Sequence, residues 1–122
     1  MSTTPTRTEK DSLGHKEVPS HVYYGIQTAR AVENYPISGL RAHPTLIRAI
    51  AMIKEAAALA NRELGLLDEK TANAIIAAAK EVQEGKLHDH FVVDVFQAGA
   101  GVSFHMNSNE VIANRAAELL GG

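Results

Sequence analysis

Residues 44–64 carry the pattern that most restricts how this chain can fold. Leu46, Ile50, Ile53, Ala57, Ala60 and Leu64 recur at alternating spacings of four and three, which lines one face of an α-helix; a strand would need alternation at every second residue. Arg48, Lys54, Glu55, Arg62 and Glu63 fall largely off that stripe. Pro44 suits a first helical turn, where its missing N–H is no loss, and Gly65 can end the helix. The reading is a helix over Pro44–Leu64. Asp68 then offers an N-cap, and Ala72, Ile75, Ile76, Ala79 and Val82 form a second stripe that Gly85 stops. Two antiparallel helices joined by a turn at Gly65–Leu67 follow.

Composition supports a mainly α fold of one domain. The chain has 122 residues, of which nineteen are Ala, only 5% are aromatic and none is Trp, so its helices must approach closely to bury enough surface. A net charge of −2 gives no basic footprint for nucleic acid. Cysteine is absent, which removes disulfides and thiolate chemistry. No apolar run approaches ~18 residues and the start lacks an apolar signal core, so a soluble cytoplasmic chain without a membrane partner is expected.

Met1–Ser12 is polar and reads as a frayed tail, leaving 13–122 as the domain. Within 13–38 a helix-like stretch runs around Gln27–Asn34. "KLHDHFVVDVFQA" over 86–98 reads as a short strand or an extended buried segment. Gly99–Gly101 forms a turn, and Met106–Leu120 returns to helical spacing, with Asn107 or Ser108 as cap and Gly121 as stop.

The string "GAGVSFHMNSNE" places flexible backbone, a hydroxyl, an imidazole and amides near a helix start. Exposed N–H groups and the helix dipole there can hold an anion. It lacks the P-loop ending and the dinucleotide fingerprint, so on spacing alone a plain strand-to-helix turn is the simpler reading. His88 and His90 could share a metal if their segment is extended, but no third ligand has convincing spacing, and surface histidines are the simpler reading; no metal or cofactor is assigned. His15, His21 and His43 are isolated. Tyr23 and Tyr24 read as packing residues with wet hydroxyls, and Glu81 and Glu84 as a solvated face. Ser103 and Ser108 lack a nucleophile elbow.

The ordered strings "LGHKEVPSHVYYGIQTARAVENYPISG", "HPTLIRAIAMIKEAAALANRELGLLDEK", "EGKLHDHFVVDVFQAGAG" and "MNSNEVIANRAAELLG" resemble the N-terminal part of the aspartase/fumarase superfamily. "YYGIQT" and "VVDVFQAGAG" look like its aspartase branch; class II fumarases typically carry Trp-Gly and "WQTGSGTQSNMN" instead. The resemblance implies a helical N-terminal domain with small strands, acting in reversible elimination of ammonia from L-aspartate to fumarate. It implies a substrate-binding turn over 99–107, at Gly101, Val102, Ser103, His105 and Asn107. It also implies a small dicarboxylate or amino acid as ligand, and a homotetramer or a complementary C-terminal part as partner.

Two departures qualify the transfer. The family reads Thr-Ser-x-Asn-Met-Asn after the glycines, where this chain has Val102, Ser103, Phe104, His105, Met106 and Asn107. Val102 keeps the shape of Thr without its hydroxyl, and a lost hydrogen bond to a charged group costs about 1.5–3 kcal/mol. The family's catalytic serine and assisting histidine match nothing in Met1–Gly122, so no catalytic base is assigned and the isolated chain is expected to be inactive. The alternatives are a fumarase or other acid lyase, and a non-catalytic helical interaction module.

Overall fold

The helical hairpin forms where the spacing places it. In a computed structural model that describes residues 4–122, the elements are β1 (Thr6–Asp11), β2 (Gly14–Pro19), α1 (Ile26–Asn34), α2 (Pro44–Glu63), α3 (Glu69–Gln83) and α4 (Val102–Leu119). Short 3₁₀ turns occupy His88–His90 and Gly99–Gly101. The architecture is mainly α. His43 caps α2, its Nδ1 accepting from the Thr45 N–H at 3.1 Å, and Pro44 fills the first turn. Asp68 caps α3 by accepting from the Thr71 N–H at 2.9 Å, and that bond holds its carboxyl below the usual range.

α3 is the central helix, packed between α2 and α4. Ala72, Ala78, Ala79 and Val82 are fully buried on it, and the core continues through Ile47 and Ala51 of α2 and Val111, Ile112 and Ala116 of α4. The face α2 buries differs from the predicted stripe. Leu46, Ile53 and Leu64 are 52%, 60% and 71% exposed, Ala57 and Ala60 are exposed too, and Ile47, Ala51 and Ala58 lie inside. α2 carries apolar residues around most of its girth, so small Ala51 and Ala58 decide which side approaches the alanines of α3.

The frayed tail is corrected over Thr6–Asp11, which pairs antiparallel with β2 in the register Arg7↔Val18 and Lys10↔His15. Long-range polar bonds supply what burial does not. The Arg7 guanidinium donates to the Pro19, Val22 and Tyr24 carbonyls at 2.9, 2.8 and 2.6 Å. Arg30 grips Asp11 through both carboxylate oxygens at 2.8 and 2.9 Å, the first cause of that acid's lowered pKa. Met1–Thr3 of the expected tail lie outside the described residues.

Phe91–Asp94 is an extended segment with Phe91, Val93 and Asp94 buried and Val92 half-buried, making one antiparallel bridge from Asp94 to Arg41 rather than a ladder. Phe91 meets Phe104 with ring centroids 6.2 Å apart. α4 begins at Val102, not Met106, so neither Asn107 nor Ser108 is a cap; both are buried in its second turn, where Ser108 Oγ donates back to the Phe104 carbonyl at 2.9 Å. Among the described residues no helix is long and apolar enough to cross a membrane.

Candidate functional site

The start of α4 owes its shape to two consecutive left-handed residues. Ala100 (φ 63°, ψ 16°) and Gly101 (φ 71°, ψ 20°) reverse the chain immediately before Val102. Gly101 adopts that conformation without cost, whereas the methyl of Ala100 makes it strained by about 1 kcal/mol. Gly101 provides no side-chain cap, so the positive end of α4 emerges from exposed backbone. Gln97 supplies one acceptor: its Oε1 takes the Phe104 N–H at 3.0 Å.

The five predicted site residues divide between two sides of this helix. Gly101, Val102 and His105 are exposed, with His105 Nε2 2.7 Å from Lys54 Nζ of α2. Ser103 is buried at 8% exposure, and Asn107 is sealed completely. Asn107 Oδ1 accepts from the Val92 N–H at 3.0 Å and its Nδ2 donates to the His90 carbonyl at 2.9 Å, so both ends of the amide hold the extended segment against α4. The outer rim is therefore backbone and Val102, with His105 one turn further along.

Gly101 also borders a cavity of about 340 Å³ lined by His43, Leu46, Val93, Gln97 and Phe104. Neither Gln97 nor His43 stood out in the sequence; Gln97 lies two residues before the glycine turn, and His43 arrives through the cap of α2. Asp94 stabilises the floor. Its carboxylate accepts from Ser38 N–H (2.7 Å), Ser38 Oγ (2.8 Å), Gly39 N–H (2.8 Å) and Phe96 N–H (2.8 Å). Burial works to raise its pKa, but these donors outweigh it and hold the carboxyl at about 2.

The remaining candidates are structural. His88 and His90 sit in a 3₁₀ turn, where alternate residues do not share a face, which removes the premise of a shared metal. His90 Nδ1 accepts from the Tyr23 N–H at 2.9 Å and burial lowers its pKa. Tyr23 donates its hydroxyl to Glu118, which together with burial raises its pKa, and Arg115 lies 5.9 Å from its ring centroid. Glu81 does not belong to a solvated face: Arg115 grips it at 2.7 and 3.0 Å, lowering its pKa and joining α3 to α4.

The lyase family matches residues 14–121. An aspartate ammonia-lyase of a Bacillus species is 58% identical over 97% of this chain, which covers 25% of that protein. A class II fumarate hydratase of Halobacterium salinarum is 59% identical over 94% of this chain and 24% of its own length. A crystal structure titled fumarate lyase:delta crystallin from Brucella melitensis superposes with a TM-score of 0.93 at 54% identity, over 96% of this chain and 28% of that one. The chain thus spans about a quarter of the length of these relatives. The chain belongs to the lyase family, in its aspartase/fumarase branch, and has the helical fold of the family's N-terminal portion.

Proposed function

We propose that this chain supplies a carboxylate-binding wall to the active site of a cytoplasmic lyase that converts L-aspartate to fumarate and ammonia. The observation that carries the reading is the left-handed Ala100–Gly101 turn, which leaves Gly101 and Val102 exposed at the start of α4, with no charged group capping it, in a chain of this family. Elimination removes a weakly acidic proton from the carbon beside one carboxylate. The electron pair left behind forms the double bond as the C–N bond breaks and ammonia departs. The intermediate carries its extra charge on that carboxylate as an aci-carboxylate, so donors fixed in advance lower the barrier. Gly101, Val102 and the backbone N–H of Ser103 form the substrate side of the turn, the Ser103 side chain is buried behind it, His105 flanks it, and Asn107 keeps it in place from within. The base is assigned to no residue of 4–122. It comes from another part of a homotetramer or from a complementary C-terminal part, and the 122-residue chain alone has no turnover.

Fumarate absorbance tests this directly. The isolated chain with aspartate should give no change, and mixing with a complementary C-terminal part should produce fumarate together with free ammonia. Turnover by the isolated chain overturns the shared site. The identity to the Halobacterium fumarate hydratase supports a second reading in which water, not ammonia, is added and removed; malate formation without ammonia use selects it. The exposed Leu46, Ile53 and Leu64 favour a third, a non-catalytic interaction module, which requires self-association with no response to either acid.

A further inference from the structure

We propose that Gln97 is a positioning residue of the anion-binding turn, and that its being a neutral amide rather than a carboxylate is what leaves the start of α4 open to a dicarboxylate. This rests on the carboxylate-binding reading of the turn. The residue reaches over the glycines from the opposite end of the turn, where its Oε1 accepts from the Phe104 N–H at 3.0 Å and fixes the third residue of α4 relative to the extended segment. Among the described residues no side chain caps the helix from Gly101, and Gly101 and Val102 are exposed. Gln97 and Gly101 line the same cavity of about 340 Å³. One neutral acceptor therefore satisfies the inner amide while adding no charge, and the field of the helix end stays directed at the outer amides. A built-in carboxylate at 97 would accept the same N–H at least as strongly and repel an incoming anion over a few ångströms.

The substitution Gln97→Glu separates these effects because it preserves the acceptor and changes only the charge. Fumarate is titrated into the ¹⁵N-labelled chain while the amide resonances of Val102, Ser103 and Phe104 are followed, and melting is recorded alongside. The unmodified chain should show fumarate-dependent shifts at Val102 and Ser103. Gln97→Glu should weaken that binding about tenfold with a melting temperature no lower than that of the unmodified chain, because a carboxylate at a helix N-terminus is itself favourable, and the deficit should shrink in 0.5 M salt, as expected for a few-ångström charge repulsion open to screening. Gln97→Met should speed hydrogen exchange at the Phe104 amide, which reports the cap independently of any ligand. Equal fumarate affinity in the unmodified and Gln97→Glu chains overturns this inference alone. No shift in the unmodified chain rejects the carboxylate-binding turn itself and this inference with it.

Discussion

Two helices of this chain begin just after a glycine, and their N-termini are used in opposite ways. At α1, Glu9 Oε1 accepts from the Ile26 N–H at 2.9 Å, while Glu110 accepts from Gln27 N–H (3.0 Å), Thr28 N–H (2.8 Å) and Thr28 Oγ1 (2.5 Å). The chain's own carboxylates saturate that helix end. At α4 the corresponding acceptor is the neutral Gln97, and Gly101 and Val102 remain exposed. The physical capacity to hold an anion is the same at both; what differs is whether the fold has already filled it. A filled terminus is architecture, since Glu110 lies on α4 and its bonds clamp α1 to it. An unfilled one is available for a substrate.

The largest effect should come from breaking the filled terminus. A Cβ on Gly25 would lie 2.4 Å from Glu110 Oε2 and 2.9 Å from Glu9 Oε1, so in Gly25→Ala both carboxylate ends must shift and their bonds to the start of α1 weaken. With charge-assisted bonds worth ~1.5–3 kcal/mol each, urea denaturation should show a loss of about 1.5 kcal/mol, the equivalent of one such bond. Gly99 at the open terminus has no atom within 4 Å of such a Cβ, and Gly99→Ala should cost little. Equal losses at the two positions would dissolve the distinction between a filled and an unfilled helix end.

Asp94 extends the comparison to a filled anion site that lies beside the open one. Its folded pKa, about 2, is below the ordinary 3.8, so its contribution to stability is present above the ordinary value and disappears as pH falls from about 4 through about 2. Melting temperatures from pH 5 to pH 2 should fall more steeply in the unmodified chain than in Asp94→Asn, which starts lower because an amide cannot accept all the bonds the carboxylate takes. Parallel curves would mean that the loop at Ser38–Gly39 is held by something else.

These contrasts also explain which features were legible in the sequence. The α2–α3 hairpin could be read because Pro44, Gly65, Asp68 and Gly85 act locally. The buried side of α2 could not, because Leu46, Ile53 and Leu64 satisfy helical periodicity as well as Ile47, Ala51 and Ala58 do, and only the alanines of α3 choose between them. β1 was invisible for a different reason: Arg7, Glu9 and Asp11 look like solvated polar residues until Pro19, Val22, Tyr24, Ile26 and Arg30 are folded against them. Within the site, the glycine turn announced itself, whereas Asn107 looked like a cap and proved to be an interior clamp. Polar residue type alone cannot tell an amide that faces solvent from one whose partners lie fifteen residues away or more.

Smaller in expected size is a change at the open terminus itself. Val102 is 53% exposed, so Val102→Thr should leave stability within about 0.5 kcal/mol while adding a hydroxyl at the rim. In the complete assembled lyase, a new hydrogen bond to a substrate carboxylate should raise kcat/KM for aspartate about tenfold, the lower end of what a bond to a charged group provides. An unchanged or lower value would mean that the carboxylate is not seated against Val102.

The smallest effect concerns the strain that shapes the open terminus. Relieving the left-handed conformation of Ala100 with Ala100→Gly should recover about 1 kcal/mol, but glycine also enlarges the unfolded ensemble by about 0.4–1 kcal/mol. The net change in stability should be within about 0.5 kcal/mol, and the informative quantity is fumarate affinity. If the strained alanine serves to hold the α4 start in one orientation, the more stable or equally stable glycine variant should bind fumarate more weakly. Retained affinity would show that Gly101 and the Gln97 bond suffice to orient the turn, leaving the open terminus as rigid as the one that Glu9 and Glu110 close.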